Sequence, residues 1–429
     1  MMFGTEPLSS PLQGELTPPG DKSISHRALI LASLAKGQSY IDGLLDGEDV
    51  KATANACHQL GMTSFIEGPG LVVNGVGIDG LSAPQADLDM GNSGTAMRLL
   101  AGVLAAQPFN STLIGDHSLS RRPMRRIVHP LSLMGARIET AESGTPPLLI
   151  SGNSHLKGID YASPVASAQL KSCLLLAGLN AAGRTQVSEP RKSRDHTEKM
   201  LPSFGVNVGP DCSVQGGSKL TAAEVRVPGD VSSATFFLVA AAMIPGSELM
   251  LRNVGLNDTR DGIVHVLEAM GANLRVENRR VYGKEAVGDI LICFNGPLQG
   301  IDVPVEWIPA LIDELPAIMA LAAVSSGVTR IRGAEELRVK ESDRIAVMAQ
   351  GLGILGVKLK EFPDGIDIEG GKIGGGTVDG AGDHRCAMSF CILGQVADEP
   401  LSITGVENIN TSYPGFVADL RRVGGCINP

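Results

Sequence analysis

The sequence predicts an α/β protein of two similar domains, and three observations support this prediction. A small or polar residue, an apolar helix, a turn and an apolar strand recur in this order six times. Each copy continues into a second amphipathic helix that ends in glycine before another strand. Both halves open with Pro-Gly-Asp, in "PGDKSISHRALILAS" from Pro19 and in "PGDVSSATFFLVAAA" from Pro228. A unit of this size is longer than the repeats of a simple solenoid, so three units per domain is the economical arrangement.

The helices of the repeat are predicted from their apolar periodicity. Apolar residues at i, i+3, i+4 and i+7 mark the second helices in "MRRIVHPLSLMGARI", "HTEKMLPSFGVNV", "GIVHVLEAMGANL" and "RIAVMAQGLGILGVKL", where glycine is the natural C-cap. The first helices begin at intervals of 65 to 82 residues, near Ser23, Ser93, Ser167, Ser232, Glu314 and His384.

The two Pro-Gly-Asp phrases predict where the chain crosses between domains. One domain is expected to span residues 20–228, and the other residues 1–19 plus 229–429. The N-terminal strand then belongs with the C-terminal half, because it precedes the first crossing.

Composition narrows the class of protein. At 429 residues and 43% hydrophobic residues, the chain can form sizeable cores and is not disordered. Its longest apolar runs are far shorter than the ~20 residues of a membrane span, and Met1 to Gly14 do not resemble a secretory signal. We therefore expect a cytoplasmic protein with no membrane partner.

Charge and residue content also bear on ligands. A net charge of −10 and an aromatic content of 3% disfavour nucleic acid as a partner. The seven cysteines and eight histidines show no metal-ligand spacing, so we expect buried reduced thiols and no metal site.

Several helix starts have the features of anion sites. Ser23, Ser93, Ser167 and Ser232 are predicted N-caps, and Asp383 is placed to cap the helix that begins near His384. Free backbone N–H groups and the positive end of the helix dipole bind phosphate and carboxylate. In "GNSGTAMR", Gly94 lets a ligand approach the backbone, with Asn92 and Thr95 beside it. The alternative, that these residues are caps and nothing more, is favoured for Ser232.

Basic residues recur at the same places. Any single one could be a solvated surface charge, but their recurrence at helix starts predicts a ligand with several negative charges. These residues are Lys22, Arg27, Arg121, Arg122, Arg125, Arg126, Arg194, Lys340, Arg344 and Arg385.

Two acidic clusters accompany these cations. Asp313 and Glu314 precede the apolar helix "LPAIMALAAVSSG", and Glu341 lies between Lys340 and Arg344. Carboxylates in a basic cleft suit proton transfer. For Asp313 and Glu314 the alternative is N-capping and pairing with the helix dipole.

At these motifs the chain resembles the bacterial 3-phosphoshikimate 1-carboxyvinyltransferases, or EPSP synthases, over essentially its whole length. The matching phrases are "PGDKSISHRA", "GNSGTAMRLL", "RRPM", "ASAQLKS", "KSRDHTEKM", "DELPA", "VKESDR" and "GDHRCAM". The resemblance implies two domains of three βαβαββ units each, the inside-out α/β barrel of enolpyruvyl transferases, with the active site in the interdomain cleft. It also implies no cofactor, and we expect a monomer whose partners are small-molecule substrates.

The resemblance implies roles for individual residues. The 5-hydroxyl of shikimate 3-phosphate attacks C2 of phosphoenolpyruvate, C3 is protonated and phosphate leaves; glyphosate inhibits the family by competing with phosphoenolpyruvate. The implied catalytic residues are Lys22, Asp313 and Glu341. The implied ligands of shikimate 3-phosphate are Lys22, Ser23, Arg27, Ser167, Ala168, Gln169, Arg194, Asp313 and Lys340. Those of phosphoenolpyruvate are Lys22, Gly94, Arg122, Gln169, Arg344 and Arg385, with Asn92, Ser93, Thr95 and His384 in support.

Two departures from many family members stand out. Ala168 replaces a serine that would give the phosphate site one more hydroxyl, and Thr411-Ser412-Tyr413-Pro414 lacks a lysine found before the C-terminal Phe-Pro. Both resemble the family's second subgroup, and they leave open whether Thr411 contacts phosphate.

The sequence also bears on two other functions. The related UDP-N-acetylglucosamine enolpyruvyl transferase has a reactive cysteine in the loop that here reads "GDHSLSRRP", Gly115 to Pro123, without cysteine. A non-catalytic phosphate-binding relative would be favoured by loss of Lys22, Asp313 or Glu341, and all three are present.

Overall fold

The computed structural model describes all residues from 1 to 429, which form two compact units. The N-terminal unit comprises Gly20–Val227 and Tyr282–Glu285. The C-terminal unit comprises Met1–Pro19, Pro228–Val281 and Ala286–Pro429. The main chain passes between the units next to the two Pro-Gly-Asp phrases. The short segment Tyr282–Glu285, expected with the C-terminal residues, groups with the N-terminal unit.

Helices and strands alternate along the chain, as the α/β prediction requires. The α-helices are α1 (Lys22–Leu34), α2 (Glu48–Gln59), α3 (Gly94–Leu104), α4 (Arg125–Leu133), α5 (Ala168–Gly178), α6 (His196–Met200), α7 (Val231–Met243), α8 (Gly262–Ala269), α9 (Ile308–Leu311), α10 (Leu315–Val324), α11 (Arg344–Ile354), α12 (His384–Leu393) and α13 (Phe416–Arg422). The strands are β1 (Met2–Thr5), β2 (Gln13–Leu16), β3 (Ala35–Asp42), β4 (Thr63–Glu67), β5 (Gly70–Val76), β6 (Leu88–Asp89), β7 (Ser111–Ile114), β8 (Arg137–Glu139), β9 (Leu148–Ser151), β10 (Asp160–Ala162), β11 (Arg184–Ser188), β12 (Ser213–Gln215), β13 (Leu220–Thr221), β14 (Glu224–Arg226), β15 (Glu248–Gly255), β16 (Asn273–Tyr282), β17 (Glu285–Cys293), β18 (Val328–Ile331), β19 (Lys358–Phe362), β20 (Gly365–Glu369), β21 (Gly376–Asp379), β22 (Leu401–Thr404) and β23 (Ile427–Asn428).

The strands form six small sheets, three in each unit, in agreement with six repeats. In the N-terminal unit the orders are β13-β3-β5-β4 with β14 also on β3, β6-β7-β9-β8, and β10-β11-β12. In the C-terminal unit they are β16-β17-β15-β2, β18-β20-β19, and β21-β22-β1-β23. The sheets are mixed: β3 pairs antiparallel with β5 and parallel with β14. The first two strands of the chain lie in the C-terminal unit, where β1 pairs with β22 and β2 with β15.

The first helix of each repeat lies in the core of its unit. All thirteen residues of α7 are buried, as are nine of the ten residues of α10. These helices are apolar around most of their circumference, which is the pattern of a helix covered on every side. In the C-terminal unit α7, α10 and α12 pack against one another, and in the N-terminal unit α3 packs against α1 and α5. Their N-terminal ends carry the polar residues of the candidate site.

The glycine stop predicted for the second helices is confirmed. Each of the six second helices is followed by a glycine whose φ lies between 81° and 108°, a region that side chains with Cβ rarely adopt. These glycines are Gly61, Gly135, Gly205, Gly271, Gly356 and Gly424.

Three of the predicted N-caps are confirmed and two are wrong. Ser93, Ser167 and Asp383 each accept a hydrogen bond from a backbone N–H in the first turn of their helix. Ser23 and Ser232 do not cap, because α1 and α7 begin earlier, at Lys22 and Val231. The caps there are the aspartates of the two Pro-Gly-Asp phrases: Asp21 accepts from Ile24 N and Asp230 from Ser232 N, both at 2.8 Å.

Two further expectations concern membranes and cysteines. None of the helices has by itself both the length and the hydropathy of a membrane span; the segments Val305–Leu311 and Leu315–Val324 reach them only together, across a bend of 117°. All seven cysteines are free thiols; Cys57, Cys173, Cys386 and Cys391 are buried, whereas the other three are half-buried.

Candidate active site

Lys22 begins α1 and forms an ion pair with Asp49, a residue that no sequence motif marks. Its Nζ lies 2.7 Å from Oδ2 of Asp49, in the first turn of α2, and the Asp49 side chain is only 6% exposed. In a sequence, an acidic residue at a helix start indicates a favourable interaction with the helix dipole. In the structure it also holds the ammonium group beside the start of α1.

Arg27 is anchored by hydroxyl and carbonyl oxygens of the N-terminal unit. Nε donates to Oγ1 of Thr197 and Nη2 to Oγ of Ser172, both at 2.7 Å, while Nη1 donates to the Ser23 carbonyl at 2.9 Å. Burial lowers the pKa of Arg27 to about 10, although the charge of Glu198 acts in the opposite direction. The arginine therefore keeps its charge at neutral pH.

Arg194 acts on the same arginine through its charge. Its guanidinium is one of the groups that lower the pKa of Arg27, so two of the predicted substrate-binding cations lie within electrostatic range of each other. Such a pair repels itself and is stabilised by a bound anion.

Gly94, the first residue of α3, lies against two arginines. A Cβ at this position would be 3.0 Å from Nη1 of Arg98 and 3.2 Å from Nη1 of Arg122. Arg122 is buried and donates from Nη2 to Oδ1 of Asn92 at 2.6 Å. The absence of a side chain at Gly94 thus leaves the guanidinium of Arg122 beside the helix start.

The "LSRRPMRR" stretch places its four arginines differently. Arg122 is buried at the start of α3, whereas Arg121 and Arg125 are exposed and Arg126 is half-buried. Arg125 begins α4 and donates to the Glu142 carbonyl, in the loop between β8 and β9, at 2.8 Å. Of the four predicted cations, the structure therefore brings Arg122 to the site.

Gln169 connects two first helices. Its Nε2 donates to Oγ1 of Thr95 at 2.9 Å, and its Oε1 accepts from Nη1 of Arg98 at 2.5 Å. Arg98, which lies within the phrase "GNSGTAMR" but had no predicted role, orients the amide so that its nitrogen faces Thr95.

Ser93 is linked to a buried histidine. Besides capping α3, its Oγ lies 3.4 Å from Nε2 of His26, whose Nδ1 lies 2.7 Å from Oγ1 of Thr53. Burial lowers the pKa of His26 well below its ordinary value, and the charges of Lys22 and Arg27 lower it further. His26 is therefore neutral at pH 7.

In the C-terminal unit one arginine holds three carboxylates. The Arg344 guanidinium donates from Nη1 to Asp313 at 3.1 Å, from Nη2 to Glu341 at 2.6 Å and from Nε to Asp383 at 2.8 Å. Burial alone would lower the pKa of Arg344, but Asp383, Glu341 and Asp313 raise it well above its ordinary value. Both predicted proton-transfer carboxylates therefore share one permanent positive charge.

Lys340 lies beside the same carboxylates. Burial lowers its pKa, against the raising effect of Asp313 and Glu336, and Arg344 lowers it further. Its Nζ lies 3.8 Å from Oε1 of Glu336. The lysine thus adds a second cation to the Asp313 side of the cluster.

Arg385 and His384 begin α12 next to this cluster. Nη1 of Arg385 donates to the Asp313 carbonyl at 3.0 Å. The Thr411 hydroxyl donates to the Asn408 carbonyl at 2.7 Å and lies 3.5 Å from Nδ1 of His384. Thr411 is buried, and both of these contacts are with residues of its own unit.

Glu314 does not cap its helix. It occupies the N-cap position of α10 without a capping hydrogen bond, and its carboxylate instead accepts from the Ser232 hydroxyl. Arg260 donates to the same hydroxyl at 2.6 Å and lies 3.6 Å from Glu314. The alternative that Glu314 is a capping residue is therefore wrong, and its buried contacts fix the chain next to Asp313.

A family model, similar sequences and a similar solved structure all point to one family. The family model EPSP synthase (3-phosphoshikimate 1-carboxyvinyltransferase) matches residues 8–420. The 3-phosphoshikimate 1-carboxyvinyltransferase of Xanthomonas campestris pv. campestris (strain B100) is 53% identical over 94% of this chain and 93% of its own. That of Xanthomonas axonopodis pv. citri (strain 306) is 52% identical over 96% and 94%. A structure of EPSP synthase from Acinetobacter baumannii superposes with a TM-score of 0.89 at 46% identity, covering 100% of this chain and 99% of its own.

The fold and the clustered cations are those of a transferase that acts on small anionic molecules. The chain belongs to the EPSP synthase family.

Proposed function

We propose that this protein transfers the enolpyruvyl group of phosphoenolpyruvate to the 5-hydroxyl of shikimate 3-phosphate, a step of aromatic amino acid biosynthesis. The observation that carries the proposal is the family match over residues 8–420, within which every charged residue named for the reaction is present. We further propose that it acts in the cytoplasm as a monomer, without a nucleic-acid or membrane partner.

The N-terminal unit is proposed to bind the phosphate and ring of shikimate 3-phosphate. Lys22, Ser23 and Arg27 lie on consecutive turns at the start of α1, and Ser167 and Gln169 at the start of α5. Charged donors and free helix N–H groups are the partners that phosphate takes in proteins. Ala168 offers no hydroxyl, so its part is through the backbone. Arg194 would complete this set.

Arg122, Arg344 and Arg385 are proposed to bind phosphoenolpyruvate. Gly94 has no side chain that would separate Arg122 from the start of α3, and Gln169 hydrogen-bonds Thr95 in the first turn of that helix. Arg344 and Arg385 are proposed as further cations for its negatively charged groups.

The chemistry has an addition and an elimination. The 5-hydroxyl loses its proton and its oxygen bonds to C2, while C3 takes a proton; C3 then loses a proton as the C2–O bond to phosphate breaks. Two proton carriers are needed, and Asp313 and Glu341 are proposed for these roles because both contact the guanidinium of Arg344. Lys340 is proposed to grip the ring hydroxyls beside Asp313, and Lys22 to stabilise negative charge on both substrates.

A phosphate-release assay tests the proposal. Purified protein is incubated with shikimate 3-phosphate and phosphoenolpyruvate, and with each substrate omitted in turn. Release that requires both substrates is expected, with 5-enolpyruvylshikimate 3-phosphate as the second product. Release from phosphoenolpyruvate alone, or none with both, would contradict the assignment.

A further inference from the structure

A buried network of charged residues without an assigned role lies next to the first turn of α5. The side chains of Lys171 and Glu189 are 4% and 7% exposed, and Nζ lies 2.9 Å from Oε2 of the glutamate. The same ammonium group lies 2.8 Å from Oε1 of Glu198, on α6. Burial alone would lower the pKa of Lys171, but Glu198 and Glu189 raise it, so the lysine remains charged.

Glu189 joins two segments that are distant in sequence. Its Oε1 accepts from the backbone N–H of Ser167 at 2.8 Å, which fixes the residue that caps α5. The hydroxyl of Ser193 donates to both oxygens, at 2.7 and 2.8 Å, and the Ser193 N–H donates to Oε2 at 3.3 Å. Lys171 closes the network by donating to the Ser193 carbonyl at 3.4 Å. One carboxylate therefore holds the Ser167 loop and the Ser193–Arg194 loop together.

Each of these loops carries a residue proposed to bind the phosphate of shikimate 3-phosphate. Ser167 is one of them, and Arg194 directly follows Ser193. A carboxylate close to a phosphate would repel it. The ion pair with Lys171 compensates the charge of Glu189 and so reduces this repulsion. Pre-placed ligands lower the ordering cost of binding.

We propose that Glu189 and Lys171 are positioning residues for shikimate 3-phosphate: their ion pair fixes the Ser167 loop against Arg194, so that both segments meet the same phosphate group. The proposal rests on the proposed function, because it takes Ser167 and Arg194 as phosphate ligands. Neither Glu189 nor Lys171 is assigned contact with the substrate.

The test is Glu189→Gln, which keeps the side-chain size and removes its charge. Dissociation constants for shikimate 3-phosphate are measured by calorimetry without phosphoenolpyruvate, followed by steady-state kinetics. We expect the dissociation constant and the KM for shikimate 3-phosphate to rise about tenfold, the size of a lost charge-assisted hydrogen bond. The KM for phosphoenolpyruvate and kcat should stay within about twofold of wild type, a split that general loosening of the fold would not give. Glu224→Gln, which alters an exposed glutamate of the same unit, is the matched control.

Ser193→Ala provides a second route if Glu189→Gln does not fold. It removes the hydroxyl that joins the loops and leaves the Lys171–Glu189 pair in place, so an increase of about threefold in the same dissociation constant is expected. Unchanged affinity in the folded variants, or equal losses in both KM values and kcat, would overturn the positioning role. Failure of the proposed function is distinguishable, because wild type would then release no phosphate and bind no shikimate 3-phosphate.

Discussion

The ammonium group of Lys22 lies 2.7 Å from a carboxylate oxygen of Asp49, and both side chains are largely buried at the starts of α1 and α2. The lysine is thus held in one place by a partner of opposite charge. Such a pair orients the donor before substrate arrives, while it neutralises part of the charge that the lysine offers.

Lys22→Ala is expected to remove more than about 3 kcal/mol of transition-state stabilisation, because a charge-assisted contact in a closed site is lost. The measurement is kcat/KM for each substrate. Lys51→Ala is the control, because Lys51 lies near the start of α2 and forms an exposed ion pair with Asp46. Near-normal kcat/KM in Lys22→Ala would refute the assignment.

Asp49→Asn tests the partner. We expect kcat/KM to fall by about tenfold, less than in Lys22→Ala, because the lysine remains but is less well oriented. If Asp49 acts through Lys22, the double variant should be no worse than Lys22→Ala alone. Additive losses would instead indicate an independent role for Asp49.

Gly94→Ala is expected to raise the inhibition constant of glyphosate more than the KM for phosphoenolpyruvate. The new methyl group would press on the guanidinium groups of Arg98 and Arg122, 3.0 and 3.2 Å away, and glyphosate is the longer ligand. Gly353→Ala is the matched control, because Gly353 is also helical and a Cβ there meets nothing within 4 Å. Equal factors for both constants would show that Gly94 does not line the shared site.

The features predicted from sequence are those that depend on neighbouring residues. The six repeats, the glycine stops and the caps at Ser93, Ser167 and Asp383 follow from local periodicity and hydrogen bonding. The caps of α1 and α7 were misassigned because an aspartate and a serine lie two residues apart, and both are good caps. The aspartate accepts the N–H group, since the helix begins one residue after it.

Partnerships over long sequence separations were not predictable in this way. Asp49 and Lys22 are 27 residues apart, and each alone resembles a surface charge. Glu314 lies at a helix start, as predicted, but its partners Ser232 and Arg260 are far away in sequence. No periodicity in the sequence encodes such pairs, because they depend on how the helices of a unit pack.

Arg344→Met is expected to destabilise the protein by about 3–5 kcal/mol, because it leaves the buried carboxylate of Asp383 without the cation that it contacts. Asp383 is fully buried and Arg344 is 1% exposed, so water cannot replace the contact. The measurement is the free energy of unfolding in urea. Arg330→Met is the control: Arg330 forms an exposed pair with Asp302, and its loss should cost less than about 1 kcal/mol. Similar losses in the two variants would contradict the role given to Arg344.

The last prediction concerns pH and His26. Burial, Lys22 and Arg27 lower the pKa of His26 well below its ordinary value, so His26 is neutral in the folded protein. In the unfolded chain this histidine takes up a proton below about pH 6.5. The unfolded state then binds more protons than the folded state, and the free energy of unfolding falls as pH decreases, by up to about 1.4 kcal/mol per pH unit for one such group. Above about pH 7 the same group has no effect.

His26→Asn removes the titrating group and keeps a polar side chain near Thr53 and Ser93. The variant is expected to be less stable than wild type at pH 7.5, because the hydrogen bond to Thr53 is lost or weakened. The difference in free energy of unfolding should shrink as pH falls from 6.5 to 5.5, since wild type alone carries the cost of burying this histidine. Urea unfolding at several pH values measures it, with Thr185→Val, a buried change without a titrating group, as control. For Thr185→Val the difference from wild type should stay constant over this range. A constant difference for His26→Asn as well would show that His26 does not cause the loss of stability at low pH.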